Sequence, residues 1–357
     1  MKNNIEQEVR ALWQSAKPQL TDDALDIYFD EIFDPAATTV VRDDKGTPRA
    51  AGQWKEHKMT FVNQPINVAY IDGIAASAHL KTNQRSEALE ELLSQMHRNM
   101  HARGMMYSII VPADDKERQF LADHGYATVS NRLVADTKTP DPATLDPRVT
   151  VEEPDEWTHE LWIYYTQHGG QHDFELKLNE ADFFALIARH DIAGGHLLVA
   201  RRHGRIVGFA LVQREGKPLK SGKASTKQFR MNIKFILASD EHVLYTIEHA
   251  ALSLAPDCRQ LVMTGCCPSK GFKGVQPHAM ARVIDAERFL TFVAGRLPGL
   301  QLSVTIDADA DIPANVKTFR LRDGRCYTNT TSQESPVGVG GIPAMFLAGQ
   351  PVLVPCE

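Results

Sequence analysis

Lys81 and Arg85 stand where an apolar run, Ile66 to Ala76, gives way to an amphipathic stretch at about 84–103. A buried strand feeding a loop and then a helix N-terminus is one way to hold a pyrophosphate. The first helical turn offers free N–H groups and partial positive charge, and two cations add to it. Any strand–loop–helix unit shares this arrangement, and a helix merely packed on a sheet is the plainer reading. His124 and Tyr126 flank Gly125 and are groups that donate or exchange protons; a surface histidine and a strand tyrosine are the plainer assignments. His97 and His101 are spaced i, i+4 and could share a metal. No third ligand lies nearby, so an exposed polar face is preferred and no metal is expected. His168, His172 and Asp173 around Gly169-Gly170 read as a loop. The five cysteines, Cys258, Cys266, Cys267, Cys326 and Cys356, have neither zinc-ligand spacing nor the look of a disulfide framework. Cys266 and Cys267 read as buried thiols on a strand.

The elements that must position these groups follow from periodicity. Helices are expected at 4–15 and 22–33, the second capped by Thr21. TTVVR (38–42) and residues 49–59 form a hairpin across Asp43–Gly46, and a turn at Asn63-Gln64-Pro65 leads into the strand 66–76. On the helix at 84–103, Leu89, Leu92, Leu93, Met96 and Met100 share one face. A strand at 105–111, a short helix at 115–123 and a strand at 126–136 complete this part. A similar order recurs: helices at 155–168 and 180–190, strands at 196–202, 205–213 and 227–238, a helix at 240–254 capped by Ser239, and a strand at 259–265. The acids Asp240 and Glu241 suit that helix dipole but would repel a diphosphate. The remainder gives a strand at 278–284, a helix at 286–296, a strand at 300–307, a hairpin at Asp323-Gly324 and a helix at 342–348, with Arg282 and Arg288 as ion-pair candidates.

A chain of 357 residues is too long for one ordinary core. With 43% hydrophobic and 24% charged residues it has a globular composition. A net charge of -6 and a pI near 6.2 argue against a general nucleic-acid binder. The polar start and the lack of an apolar run of spanning length point away from a signal peptide and a membrane, so the cytoplasm is expected.

IDGIAASAHLKTNQRSEAL (71–89) followed by SIIVPADDKERQFLADHGYATV (108–129) resembles the central half of a GNAT acetyltransferase. HAMARVIDAERFL (278–290) is similar to the start of the sterol-carrier-like domain in the Eis, or enhanced-intracellular-survival, group. The resemblance implies an α/β (α+β) chain of two tandem GNAT-like mixed-sheet domains, 1–137 and 138–275, plus a small C-terminal α+β domain at 276–357. It implies acetyl-CoA as co-substrate, lying in a V-shaped opening between the strands at 66–76 and 105–111. Ile74, Ala75 and Ala76 would pair with the pantetheine, and Lys81, Thr82, Asn83, Gln84, Arg85 and Ser86 would match the pyrophosphate loop. That loop lacks the family's glycines, which permit close backbone approach; Thr82 as a helix cap is the alternative. Leu121 stands at the family's tyrosine acid and cannot donate a proton, leaving Tyr126 as a substitute acid. The family's base resembles a C-terminal carboxylate, here Glu357. The activity implied is acyl transfer to a primary amine on a small molecule or a lysine side chain, in a self-associating protein, with no nucleic acid and no membrane as partner. A degenerate GNAT-fold binding protein and a carrier role for the last domain are the alternatives.

Overall fold

The computed structural model describes residues 2–18, 20–136, 142–169, 173–218, 227–264, 272–329 and 336–347. Contacts group the chain into two compact units, 1–130 with 279–350, and 131–278 with 351–357.

The first unit begins with α1 (Lys2–Ala16) and α2 (Asp22–Ile27), the latter capped by Thr21, whose hydroxyl accepts from the Ala24 N–H. Strands β1 (Thr38–Arg42) and β2 (Pro48–Phe61) form the expected hairpin. Asp43 braces its turn by accepting from the Lys45 and Thr47 N–H groups, and Gly46 supplies the positive φ, +82°, that the reversal needs. Strand β3 (Gln64–Ala76) pairs antiparallel with β2 around a two-residue turn, Val62-Asn63. Helix α3 (Thr82–Ala102) crosses over to β4 (Tyr107–Ile110), which runs parallel to β3. Ala88, Leu92, Leu93, Met96 and Met100 form its fully buried stripe; each large side chain buried this way contributes on the order of 1.5–3 kcal/mol. Helix α4 (Asp115–Asp123) and the two-residue strand β5 (Ala127–Thr128) follow.

The second unit contains β6 (Asn131–Asp136), β7 (Val149–Glu152), α5 (His159–His168), β8 (Leu176–Lys177), α6 (Glu180–Ile192), β9 (His196–Arg202), β10 (Arg205–Pro218), β11 (Lys227–Ala238), α7 (Glu241–Leu254), β12 (Cys258–Thr264) and β13 (Phe272–Pro277). Its sheet runs β13-β6-β12-β11-β10-β9-β7, with β11 and β12 parallel. The hairpin β10–β11, the crossover helix α7 and the parallel strand β12 repeat the order β2–β3, α3, β4 of the first unit. Tyr165, Phe183, Phe209 and Phe235 pack in a row through its core, with centroids 5.0, 5.8 and 5.3 Å apart in sequence of contact, the first pair stacked and the second edge-to-face. The cap of α7 is Asp240, which accepts from the Val243 N–H, rather than the expected Ser239.

The chain then returns to the first unit through β14 (Met280–Val283), α8 (Ala286–Arg296), β15 (Leu302–Thr305), β16 (Thr318–Arg322), β17 (Arg325–Asn329) and α9 (Gly341–Leu347). The first sheet runs β1-β2-β3-β4-β14-β5, and β15-β16-β17 form a small sheet. Phe289 of α8 packs on Tyr107, Phe61 and Phe346 at 4.5, 5.4 and 5.4 Å.

Two expectations change here. The single strand at 126–136 is two strands in different sheets, because Val129 and Ser130 donate to the Ala279 carbonyl and break the run. The division at 137 and 276 moves to two compact units. Strand β6 bonds to β12 and β13, while β14 fills the slot between β4 and β5 and leaves neither with an open edge there. Residues 279–350 thus group with the first unit.

Candidate functional site

The ladder between β3 and β4 runs Val68↔Tyr107, Ala69↔Ser108, Tyr70↔Ile109 and Ile71↔Ile110, and ends there. On its other side β3 stays paired with β2 out to Ala50↔Ala76. Residues 73–76 therefore belong to a strand that continues past the ladder with β4, and the two strands form a fork. A bulge sits at the fork's base: Gln53 pairs with Gly73 and Trp54 with Ile71, leaving Asp72 as the extra residue. Bulges bend a strand and re-aim side chains, and they concentrate beside active sites. Gly73 has φ +144°, and a Cβ there would meet the Trp13 ring at 2.9 Å. Glycine is required by both the backbone and the indole that covers it.

Ile74, Ala75 and Ala76 are buried at the end of this unpaired run. Lys81 caps α3; its N–H donates to Gln84 Oε1 at 3.2 Å. Thr82 is therefore the first residue of the helix, not its cap. Thr82, Asn83, Gln84, Arg85 and Ser86 are exposed on the first turns. The Arg85 guanidinium donates to the Ala78 carbonyl and holds the loop closed on itself. A cation missed from sequence joins them: Arg49 donates to the Gln84 carbonyl at 3.3 Å and lies 3.8 and 3.9 Å from Glu87 and Glu91. The pairing of Ala50 with Ala76 carries it there, a non-local consequence of the hairpin register.

Tyr126 is 3% exposed. Its hydroxyl lies 2.7 Å from Ser108 Oγ and 2.9 Å from His97 Nε2, and His97 Nδ1 lies 2.7 Å from Asp311 Oδ2. The Asp311 carboxylate can only accept, so it holds the imidazole proton on Nδ1. Nε2 then accepts from Tyr126, which in turn accepts from Ser108. Burial lowers the His97 pKa from 6.5 to about 4, outweighing the Asp311 bond that would raise it. Burial likewise drives the Tyr126 phenol up, only partly offset by the Ser108 bond. Desolvation would raise Asp311, but bonds from His97 and Ser94 hold it below the usual carboxylate range. Arg282 extends the network, donating to the His124 carbonyl at 2.9 Å and pairing with Asp309 at 2.5 Å. Asp309 also accepts from Asn315 at 2.9 Å.

His97 is therefore buried rather than on an exposed face, and no group of three or more metal-ligating side chains occurs among the described residues. Arg282 and Arg288 both form ion pairs, the latter with Asp285. Leu121 is fully buried in the apolar core. Glu357, Cys266, Cys267, Cys356 and His172 lie outside the described residues. In the second unit β11 likewise continues past its last pair with β12 among the described residues, Ile233↔Met263. There the following helix opens on Asp240, which is engaged with Arg202 at 3.0 Å.

No protein-family model matches the chain, and no curated protein matches it. Solved structures do. A GCN5-related N-acetyltransferase from Anabaena variabilis is 11% identical, with a TM-score of 0.68 over 97% of this chain and 88% of that one. Eis1 from Mycobacterium abscessus is 12% identical, with a TM-score of 0.68 over 98% and 88%. A GCN5-related N-acetyltransferase from Kribbella flavida is 15% identical, with a TM-score of 0.62 over 95% and 85%. The mixed α/β fold expected from sequence is thus the fold of these acetyltransferases; at such identities the likeness is one of fold. No described helix is long and apolar enough to cross a membrane.

Proposed function

We propose that this chain is an acyl-CoA-dependent N-acyltransferase, with acetyl-CoA as donor and a primary amine on a small molecule or lysine as acceptor. The observation that carries the reading is the fork: β3 keeps its β4-facing edge free over 73–76 while the first turn of α3 opens directly beyond it. An extended thioester arm with paired amides fits a free strand edge, because it satisfies the groups that β4 leaves unpaired. Its diphosphate would meet the N–H groups of Thr82, Asn83 and Gln84, with Lys81, Arg85 and Arg49 supplying positive charge. Holding donor and amine together turns a bimolecular attack into a positioned one. Tyr126 and Glu357 remain the proposed acid and base.

The fold likeness to Eis1 and the GCN5-related enzymes supports the reading at the level of architecture. A second reading, a binding protein that has lost catalysis, is favoured by one observation: Leu121 is sealed in the core at the position where the resemblance implies a phenol. Titration calorimetry with acetyl-CoA, followed by a thiol-release assay over a panel of primary amines, separates the two. Binding with turnover supports the transferase; binding without turnover supports the degenerate protein; no binding removes the transferase and leaves a scaffold without a ligand in the cleft.

A further inference from the structure

Lys17 is a half-buried amine that none of the roles above employs. It follows the last turn of α1, and its Nζ lies 4.7 Å from the centre of the Trp13 ring and 3.6 Å from where a Cβ would stand on Gly73. Carboxylates on both arms of the fork act on it: Asp72 in the β3 bulge and Glu117 in the first turn of α4, the helix after β4. The amine is thus set beside Gly73, the first residue after the bulge at the base of the fork. We propose that Lys17 is itself an acyl acceptor, taking the acyl group from a CoA thioester held in the fork. The inference rests on the transferase reading of that fork.

The chemistry of the surroundings suits the step. Desolvation lowers the Lys17 pKa, against the pull of Glu117 and Asp72, and so favours the neutral, nucleophilic amine. Burial raises the Glu117 carboxyl, more than the Ala113 N–H and Lys17 lower it, which makes it a better proton acceptor. The Nζ lone pair attacks the thioester carbonyl carbon. A C–N bond forms, the C–S bond breaks, and CoA leaves as the thiolate with the bonding electrons. The proton shed by Nζ passes to solvent, its departure favoured by the Glu117 carboxylate acting on it from beyond ion-pair distance, and the thiolate is protonated from solvent. The product amide has no charge to place over Trp13, so the α1 end and the fork are altered by the first turnover.

The test uses the full chain and radiolabelled acetyl-CoA with no added amine. Intact mass and peptide mapping should find one acetyl group on Lys17, forming at least tenfold faster than on the exposed Lys58 or Lys116, and no faster than them after denaturation. Glu117→Gln should slow it at least fivefold, and Lys17→Arg should abolish it. Calorimetric binding of acetyl-CoA with Lys17 unmodified, or with label spread evenly over surface lysines, overturns the inference and leaves the transferase reading standing. Absence of binding overturns both.

Discussion

Tyr126→Phe separates two roles for one hydroxyl. The substitution removes a single oxygen from a site where both of its partners, Ser108 and His97, are fully buried. A buried polar group left without a partner costs about 1–3 kcal/mol. Two groups lose a bond here, and the removed phenol no longer needs desolvation, so a net loss of about 2–3 kcal/mol is expected. For a unit of this size, that lowers Tm by roughly 5–10 °C. Urea titration followed by tryptophan fluorescence reads the loss directly, and Trp13 and Trp54 report on the first unit. If Tyr126 serves the network alone, acetyl-CoA affinity and turnover per folded molecule stay within about twofold of the parent, a change of under 0.5 kcal/mol. Unchanged stability would refute the hydrogen-bond network as drawn. Unchanged stability with turnover reduced a hundredfold or more would assign the phenol to proton transfer instead.

His97 makes stability fall on acidification: its folded pKa is below its unfolded one, so the unfolded chain binds more protons between about pH 6.5 and 4. About 3 kcal/mol should be lost across that window, read by urea melts at stepped pH, and a flat profile would place the imidazole in water. Glu248 of α7 has the opposite sign. Burial raises it from 4.5 to about 7 and its Oε1 finds no partner among the described residues, so stability should decline as pH rises through 4.5–7. Glu248→Gln should recover up to about 3 kcal/mol at pH 8 and almost nothing at pH 4; equal effects at both would dismiss the shift. Gly73→Ala forces a Cβ into the Trp13 ring at a left-handed φ and should cost about 2–4 kcal/mol with loss of acetyl-CoA affinity by calorimetry. Leu121→Tyr puts a larger side chain into a filled core and should lower stability by about 1–3 kcal/mol without creating turnover; a gain in turnover would mean that this helix face opens to the fork.

Where local chemistry specifies the outcome, the sequence suffices. The apolar stripe from Ala88 to Met100 forces α3 against the sheet, since one helix face carries nearly all its oily surface. The Asp43–Gly46 turn and the pairing of Thr38–Arg42 follow from residues that favour extended backbone and a reversal. Strand, helix and parallel strand give the crossover unit, but the fork is implied only by the resemblance to GNAT acetyltransferases, since crossover strands can pair along their whole length. What the sequence could not give is the identity of neighbours brought from afar. His97 flanks the apolar stripe, four residues after Leu93 and three before Met100, and its chemistry alone assigns it to a polar face; Asp311, more than two hundred residues later, arrives to bond it and its burial becomes affordable. The slot beside β4 goes to β14 because hydrogen-bonding edges are filled by whichever strand reaches them, and no local pattern encodes that choice. Lys17 and Glu117 carry no local signal that relates them. Only the packing of α1 across the bulge at Asp72, with Gly73 leaving room for Trp13, brings the amine to the base of the fork and within the electrostatic reach of Glu117.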